Sequence, residues 1–176
     1  MRLEARHEFP AAVEAVEQAM ADPAFYAQLR DLPDLAPPEV VDRAAVGSRI
    51  TLTVRYVFTG HVDPIVRRVV PVDQLVWVQT TEFDTAAHEA TLTVVPEKLG
   101  SMLQCAGKFV LQPATRTSGD GVARPGTVRT LTGELRVKVP LLGGRAEKAL
   151  GPGILRRIDL EADALRAWLT RAGTYE

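Results

Sequence analysis

The stretch that decides the fold is Ile154-Leu155-Arg156-Arg157-Ile158-Asp159-Leu160-Glu161-Ala162-Asp163-Ala164-Leu165-Arg166-Ala167-Trp168-Leu169-Thr170-Arg171-Ala172. Leu155, Ile158, Ala162, Leu165 and Leu169 recur at intervals of three and four, with Ile154 and Trp168 flanking the stripe, while Arg156, Asp159, Asp163 and Thr170 face the other way. This is the period of an amphipathic helix, roughly 28 Å long at 1.5 Å per residue. Gly144 to Leu150 extends the pattern towards the N-terminus. Gly151-Pro152-Gly153 lies between the two pieces, and a proline there predicts a break or strong kink.

Upstream of this helix the chain reads as β. Arg49 to Phe58 is the cleanest alternation: Ile50, Leu52, Val54, Tyr56 and Phe58 share one face, and Arg49, Thr51, Thr53 and Arg55 the other. Gly47-Ser48 makes a tight turn back to a strand over Val40 to Val46. Leu75 to Phe83, His88 to Val95, Met102 to Gln112 and Thr127 to Val139 supply four more strands. The Pro113–Gly126 segment between the last two reads as a polar loop with a mobile hairpin tip. Residues 62–73 fit either a helical turn or an irregular strand. Arg2 to Phe9 alternates as a half-buried strand with Leu3, Ala5, His7 and Phe9 on one side. Pro10 is expected to open a helix carrying Val13, Val16 and Met20, ended by Asp22-Pro23, and a second short helix carries Phe25, Tyr26 and Leu29.

Strand, two helices, six strands and one long helix make an α+β domain spanning residues 1–176. Short turns between successive strands require an antiparallel meander, and its apolar face needs a cover. The terminal helix carries the largest apolar stripe available for that purpose.

Composition excludes several roles. The 176 residues are 46% hydrophobic and 24% charged, with a formal net charge of -1, so nothing draws the chain globally to nucleic acid or anionic lipid. The excess of arginine over lysine reads as the composition of a GC-rich bacterial genome. The pairs Arg67-Arg68 and Arg156-Arg157 read as solvated surface. The lone Cys105 excludes an internal disulfide and reads as a small buried hydrophobe. The charged, alternating N-terminus is unlike a signal peptide and no run is long enough to span a bilayer, so a cytoplasmic location without membrane insertion is expected.

His7, His61 and His88 have no metal-ligand spacing, Ser48, Ser101 and Ser118 sit in turns, and the paired glycines match neither a phosphate loop nor a dinucleotide fingerprint. No metal, no cofactor and no catalytic residue is therefore expected. His88 shares parity with Ala90, Leu92 and Val94, where a hydrogen-bonded structural histidine is the reading preferred over a general base.

A strand followed by the Asp22-Pro23-Ala24-Phe25 turn, the long meander, and Val137-Lys138-Val139-Pro140-Leu141-Leu142-Gly143-Gly144-Arg145-Ala146-Glu147 running into the final helix resemble the START-like (polyketide cyclase and lipid transport) superfamily. Within it, the Val-Pro-x-x-Gly-Gly-x-x-Glu junction is similar to that of an uncharacterised actinobacterial family. The resemblance implies the helix-grip (START-like, Bet v 1-like) fold: a seven-stranded curved antiparallel sheet wrapped around the C-terminal helix, with two short N-terminal helices. It also implies a ligand cavity between sheet and helix. Its expected lining is Leu52, Val54, Tyr56, Trp77, Gln79, Leu92, Phe109, Leu131 and Leu135 from the strands, with Ile158, Glu161, Leu165 and Trp168 from the helix. Each also fits a simply packed core. Tyr56 and Gln79 have the parity of polar anchors. Glu161 lies at the edge of the stripe, where it either meets a ligand hydroxyl or amine or reaches water from the rim.

The expected function is binding or carriage of a small, mainly hydrophobic molecule such as a lipid, a fatty acyl chain or a polyketide-like metabolite. The alternatives are a cyclase or hydratase using Tyr56, His88 or Glu161 as proton donors, and a protein-interaction module presenting an edge strand. No nucleic-acid partner is expected, and the chain is read as a monomer or homodimer. The 113–126 loop and the 151–153 break are the expected gates.

Overall fold

The computed structural model describes residues 1–69, 75–98, 100–117 and 121–172. Seven strands, β1 (Arg2–Phe9), β2 (Glu39–Val46), β3 (Arg49–Val57), β4 (Val76–Asp84), β5 (Glu89–Pro96), β6 (Leu103–Thr117) and β7 (Ala123–Val137), form one antiparallel sheet in the order β1-β7-β6-β5-β4-β3-β2. The consecutive strands β2 to β7 pair through turns, as short connections demand. The first strand closes against the last, with Phe9 opposite Thr127 and Arg2 opposite Glu134. The helices are α1 (Val13–Met20), α2 (Pro23–Ala27), α3 (Pro64–Val69) and α4 (Gly143–Ala172).

The alternation over 49–58 is what the structure uses: Leu52, Val54 and Tyr56 are buried on the face that α4 covers. That face joins Phe9, Val16, Phe25, Phe83, Phe109, Leu131, Ile158 and Leu165 in the main core. A second cluster, Val62, Val66, Val137 and Ala146, anchors the start of α4 against α3 and the end of β7.

Four sequence expectations change. The first helix starts at Val13, not at Pro10: Pro10 and Ala11 form a bend, which the Thr127 hydroxyl ties to β7 by donating to the Ala11 carbonyl at 2.7 Å, and Ala12 is extended. The ambiguous 62–73 segment resolves in part as α3. Pro64 occupies its first turn, and the Asp63 carboxylate accepts from the Ile65 amide at 2.8 Å; residues 70–73 lie outside the described residues.

The Pro113–Gly126 loop is largely strand, since β6 and β7 stay paired out to Thr117 and Ala123. Its prolines do not break the ladder. Leu111 donates its amide towards the β5 side, to His88, so Pro113 has its missing N–H on that side, where the β5–β6 pairing has already ended at Glu89–Val110. Residues 118–120, the expected mobile tip, lie outside the described residues.

The expected break at Gly151-Pro152-Gly153 is absent: α4 runs unbroken from Gly143 to Ala172 with Pro152 inside it. Proline removes one intrahelical hydrogen bond, but packing on both sides offsets this loss. Ala146, Ala149 and Leu150 are held in the second cluster, and Ile154 and Ile158 in the main core.

The junction before α4 has a physical reason for its residues. Leu141 takes a left-handed φ of 64°, and a Cβ on Gly143 would run into the Val137 carbonyl oxygen. Glu147 reaches back to accept the Val137 amide at 2.9 Å. That bond lowers the Glu147 pKa below the ordinary carboxylate range, because only the ionised group fully accepts it.

Candidate functional site

Between the curved sheet and α4 lies a cavity of about 80 Å³. Two further hollows of about 110 and 280 Å³ adjoin it, and Ile154 and Arg157 form part of the wall of all three. Well-packed interiors leave few voids larger than a water, so space of this size under a covering helix is a feature of the fold.

Its floor comes from the strands. Gly107 and Gly133 face each other across β6 and β7, and neither contributes a side chain to the space they line. A Cβ on Gly107 would stand 3.0 Å from the Thr132 carbonyl oxygen, and one on Gly133 3.0 Å from that of Ala106. Such contacts are tighter than ordinary Cβ packing, so any larger residue would push the two backbones apart by a few tenths of an ångström.

The walls are mostly apolar, with Leu3, Phe25, Phe83, Leu92, Val94, Phe109, Leu131, Ile154, Ile158 and Leu165, and a polar cluster is set into them. At its centre is Arg157, whose side chain is only 12% exposed. One nitrogen donates to Glu161 at 2.6 Å and another to the Gln79 side-chain oxygen at 3.0 Å. The guanidinium lies 4.8 Å from the centre of the Tyr56 ring, which in turn stacks on Trp77 at 5.4 Å. Burial opposes the charge on Arg157, but Glu161 and Tyr56 more than offset it, so its pKa rises. The buried Tyr56 hydroxyl feels both charges yet makes no hydrogen bond of normal geometry. Burial first, then the Glu161 charge, lifts its pKa well above that of a free phenol.

A second arginine, Arg129, forms part of the wall at 7% exposure. Its guanidinium lies 5.3 Å from the centre of the Phe9 ring and 6.0 Å from that of Phe109. One nitrogen meets His7 Nδ1 at 3.1 Å, and Nε, also buried, has no hydrogen-bond partner. Arginine can only donate, so Nδ1 accepts; His7 then carries its proton on Nε2 and gives it to Asp159 at 2.9 Å. Burial lowers the His7 pKa, the Asp159 hydrogen bond opposing it, and burial pushes Arg129 down to about 10.

Of the residues expected to line a cavity, Gln79, Leu92, Phe109, Leu131, Ile158, Glu161 and Leu165 do line this one. Trp77 borders the two adjoining hollows. Leu52, Val54, Tyr56 and Leu135 are packed core and reach none of the three spaces, because neighbouring side chains cover them completely. Trp168 also lies off the cavity, near the C-terminal end of α4, with its ring edge against Phe25 at 6.0 Å. Glu161 meets the cavity as the partner of an arginine, not as a rim charge in water. His88 lies away from it: in a left-handed turn with φ of 55°, it bonds the buried Glu17 at 3.1 Å. Cys105 lines the cavity, its thiol pKa raised by burial.

Arg157 and Arg129 are the residues that sequence reading missed. Arg157 stands three residues after Ile154 and four before Glu161, on the row that faces the sheet. Arg129 shares the parity of Thr127, Leu131 and Leu135, all buried. In each case position outweighs residue type.

Among the described residues no cluster of three or more histidines, cysteines or carboxylates could hold a metal ion, and no helix is long and apolar enough to cross a membrane. No curated protein matches the chain in sequence. Solved structures do match in shape. The protein TTHA0849 of Thermus thermophilus superposes with a TM-score of 0.63 at 18% identity, covering 98% of this chain and 99% of that one. The Zhui aromatase/cyclase of Streptomyces sp. R1128 gives 0.61 at 16% identity, covering 97% and 94%. Norcoclaurine synthase of Thalictrum flavum gives 0.59 at 15% identity, covering 97% and 86%. At these identities the likeness establishes the fold, which is the helix-grip fold of the Bet v 1 and polyketide-cyclase type. The model of the family described as protein of unknown function DUF2505 matches residues 4–169, nearly the whole chain, and the chain belongs to that family.

Proposed function

We propose that this chain binds a small, mainly hydrophobic molecule in the cavity between the sheet and α4. The observation that carries the reading is a space floored by two facing glycines and walled by apolar side chains, with a few buried polar groups placed at its edge. That combination is the general form of a small-molecule site. A volume of about 80 Å³ takes on the order of six water-sized groups, each needing ~10–15 Å³. A longer ligand, such as a fatty acyl chain or a polyketide-like metabolite, would pass Ile154 and Arg157 into the adjoining hollows. Sharing a fold with an aromatase/cyclase and a synthase supports a small-molecule role without defining its chemistry.

A binder or carrier fits better than a cyclase or hydratase. Of the three groups such an enzyme would use, Tyr56 reaches none of the hollows, His88 is engaged with Glu17, and Glu161 is committed to Arg157.

The test is a fluorescence titration with the uncharged apolar dye Nile red, on the natural chain and on Val94→Trp, which fills the cavity from β5. Binding by the natural chain that is weakened about tenfold or more in the variant supports the site. Equal binding by both places the dye elsewhere and defeats the reading. Native mass spectrometry of the purified chain then identifies any ligand carried through purification.

A further inference from the structure

We propose that the ligand of this cavity carries a carboxylate, and that Arg129 is the residue that receives it. This rests on the small-molecule reading above and specifies its chemistry.

The charges in the wall do not balance. Arg157 is answered by Glu161 at 2.6 Å and by the Gln79 oxygen at 3.0 Å. Arg129 has no carboxylate of its own: its one hydrogen-bond partner among the described residues is the neutral His7 ring. Asp159, the nearest acid along that chain of bonds, is reached only through His7 and is mostly exposed. The wall therefore holds two guanidinium groups that share the field of one carboxylate, Glu161, which bonds only Arg157, and a buried charge that is only partly answered is costly.

The surroundings of Arg129 narrow what could answer it. The rings of Phe9 and Phe109 approach the guanidinium at 5.3 and 6.0 Å, and rings supply no hydrogen-bond acceptor of normal strength. Nε is fully buried and donates to nothing. What is missing is an acceptor with negative charge, and a carboxylate matches the donor fork of arginine. Most of the remaining wall, including Phe83, Leu92, Val94 and Ile158, offers hydrocarbon contact, and Glu161 and Gln79 are already engaged by Arg157, so the rest of the molecule is mainly apolar. Together these features describe a short acid with a hydrocarbon body.

Matched probes test this: hexanoate and hexan-1-ol, titrated by calorimetry into the full chain at neutral pH, with inorganic phosphate as a third arm. Hexanoate should bind about tenfold or more tightly than hexanol, the scale of one charge-assisted hydrogen bond. Arg129→Met should remove that preference while leaving hexanol within about threefold, and Arg129→Lys should restore part of it. Alcohol and acid binding equally well overturns the inference and leaves the small-molecule reading standing. The same holds if the acid preference survives in Arg129→Met, or if phosphate binds as tightly as hexanoate. Failure of both hexanoate and hexanol to bind defeats the two readings together. The acid–alcohol comparison on the natural chain needs no variant, so it decides the matter even if Arg129→Met does not fold.

Discussion

Replacing Arg157 with methionine keeps the apolar stem of the side chain and removes the guanidinium and its charge, leaving Glu161 and the Gln79 oxygen facing the cavity without their donor. Breaking a fully buried ion pair from one side costs ~3–5 kcal/mol. The two side chains here retain 12% and 18% exposure, which lets some water relieve the orphaned carboxylate and brings the expected loss to about 3 kcal/mol. For a chain of this size that corresponds to a fall in Tm of about 6–12 °C. Glu161→Leu should cost a similar amount by stranding Arg157. The double variant Arg157→Met/Glu161→Leu should return to within ~1 kcal/mol of the natural chain, because an apolar pair of similar volume avoids both desolvation penalties. Urea unfolding of all four proteins gives the cycle directly, with an expected coupling of about 2–4 kcal/mol. Two results would refute the reasoning: a loss below about 1 kcal/mol for Arg157→Met, or single-variant losses that simply add.

Three further outcomes are expected. Gly143→Ala should lower stability by roughly 1–3 kcal/mol, since its Cβ meets the Val137 carbonyl, whereas Gly144→Ala, which meets open space at the helix start, should be neutral or slightly stabilising in the same thermal melts. Trp168→Ala should cost about 2 kcal/mol, below the ~3–5 kcal/mol of a fully packed ring, because the side chain is only half-buried; denaturant midpoints measure it. His7, faced by Arg129, Asp159 and Arg166, has a pKa below the ordinary value of ~6.5. The unfolded chain therefore takes up its proton first, and the His7 contribution, complete above that value, is lost as pH falls below it, by at most about 1.4 kcal/mol per pH unit. Glu17 acts in the opposite sense: its raised pKa makes acid favour the folded state. Comparing urea midpoints between pH 7 and 5 for the natural chain and His7→Gln isolates the histidine, and the acid loss should be smaller in the variant.

The sheet is legible wherever alternation runs uninterrupted, as over Ile50 to Tyr56, and the covering helix from its stripe between Leu155 and Leu169. Legibility fails where one residue type is given more weight than its surroundings. Pro152 reads as a stop, yet the apolar contacts of Leu150 and Ile154 on either side hold the helix through it. Pro113 reads as the start of a loop, although it sits where the ladder asks for no amide on that side. The same bias hides half of the site. Its apolar lining follows from strand parity, as with Leu92, Phe109 and Leu131, but Arg157 reads as surface on chemistry alone, and Arg129 draws no notice for the same reason. An arginine at an inward position of a buried strand is a departure from pattern, and departures of that kind concentrate where a protein has something to bind.

The facing glycines beneath the cavity bear on how such a chain can change over time. Most voids in a protein can be closed by a modest enlargement nearby, and random substitution tends to try such enlargements. At Gly107 and Gly133 a single added methyl presses against the main chain of the adjacent strand, which cannot turn aside as a side chain would. Backbone geometry therefore opposes filling at that spot, while the remaining walls carry no such brake against enlargement.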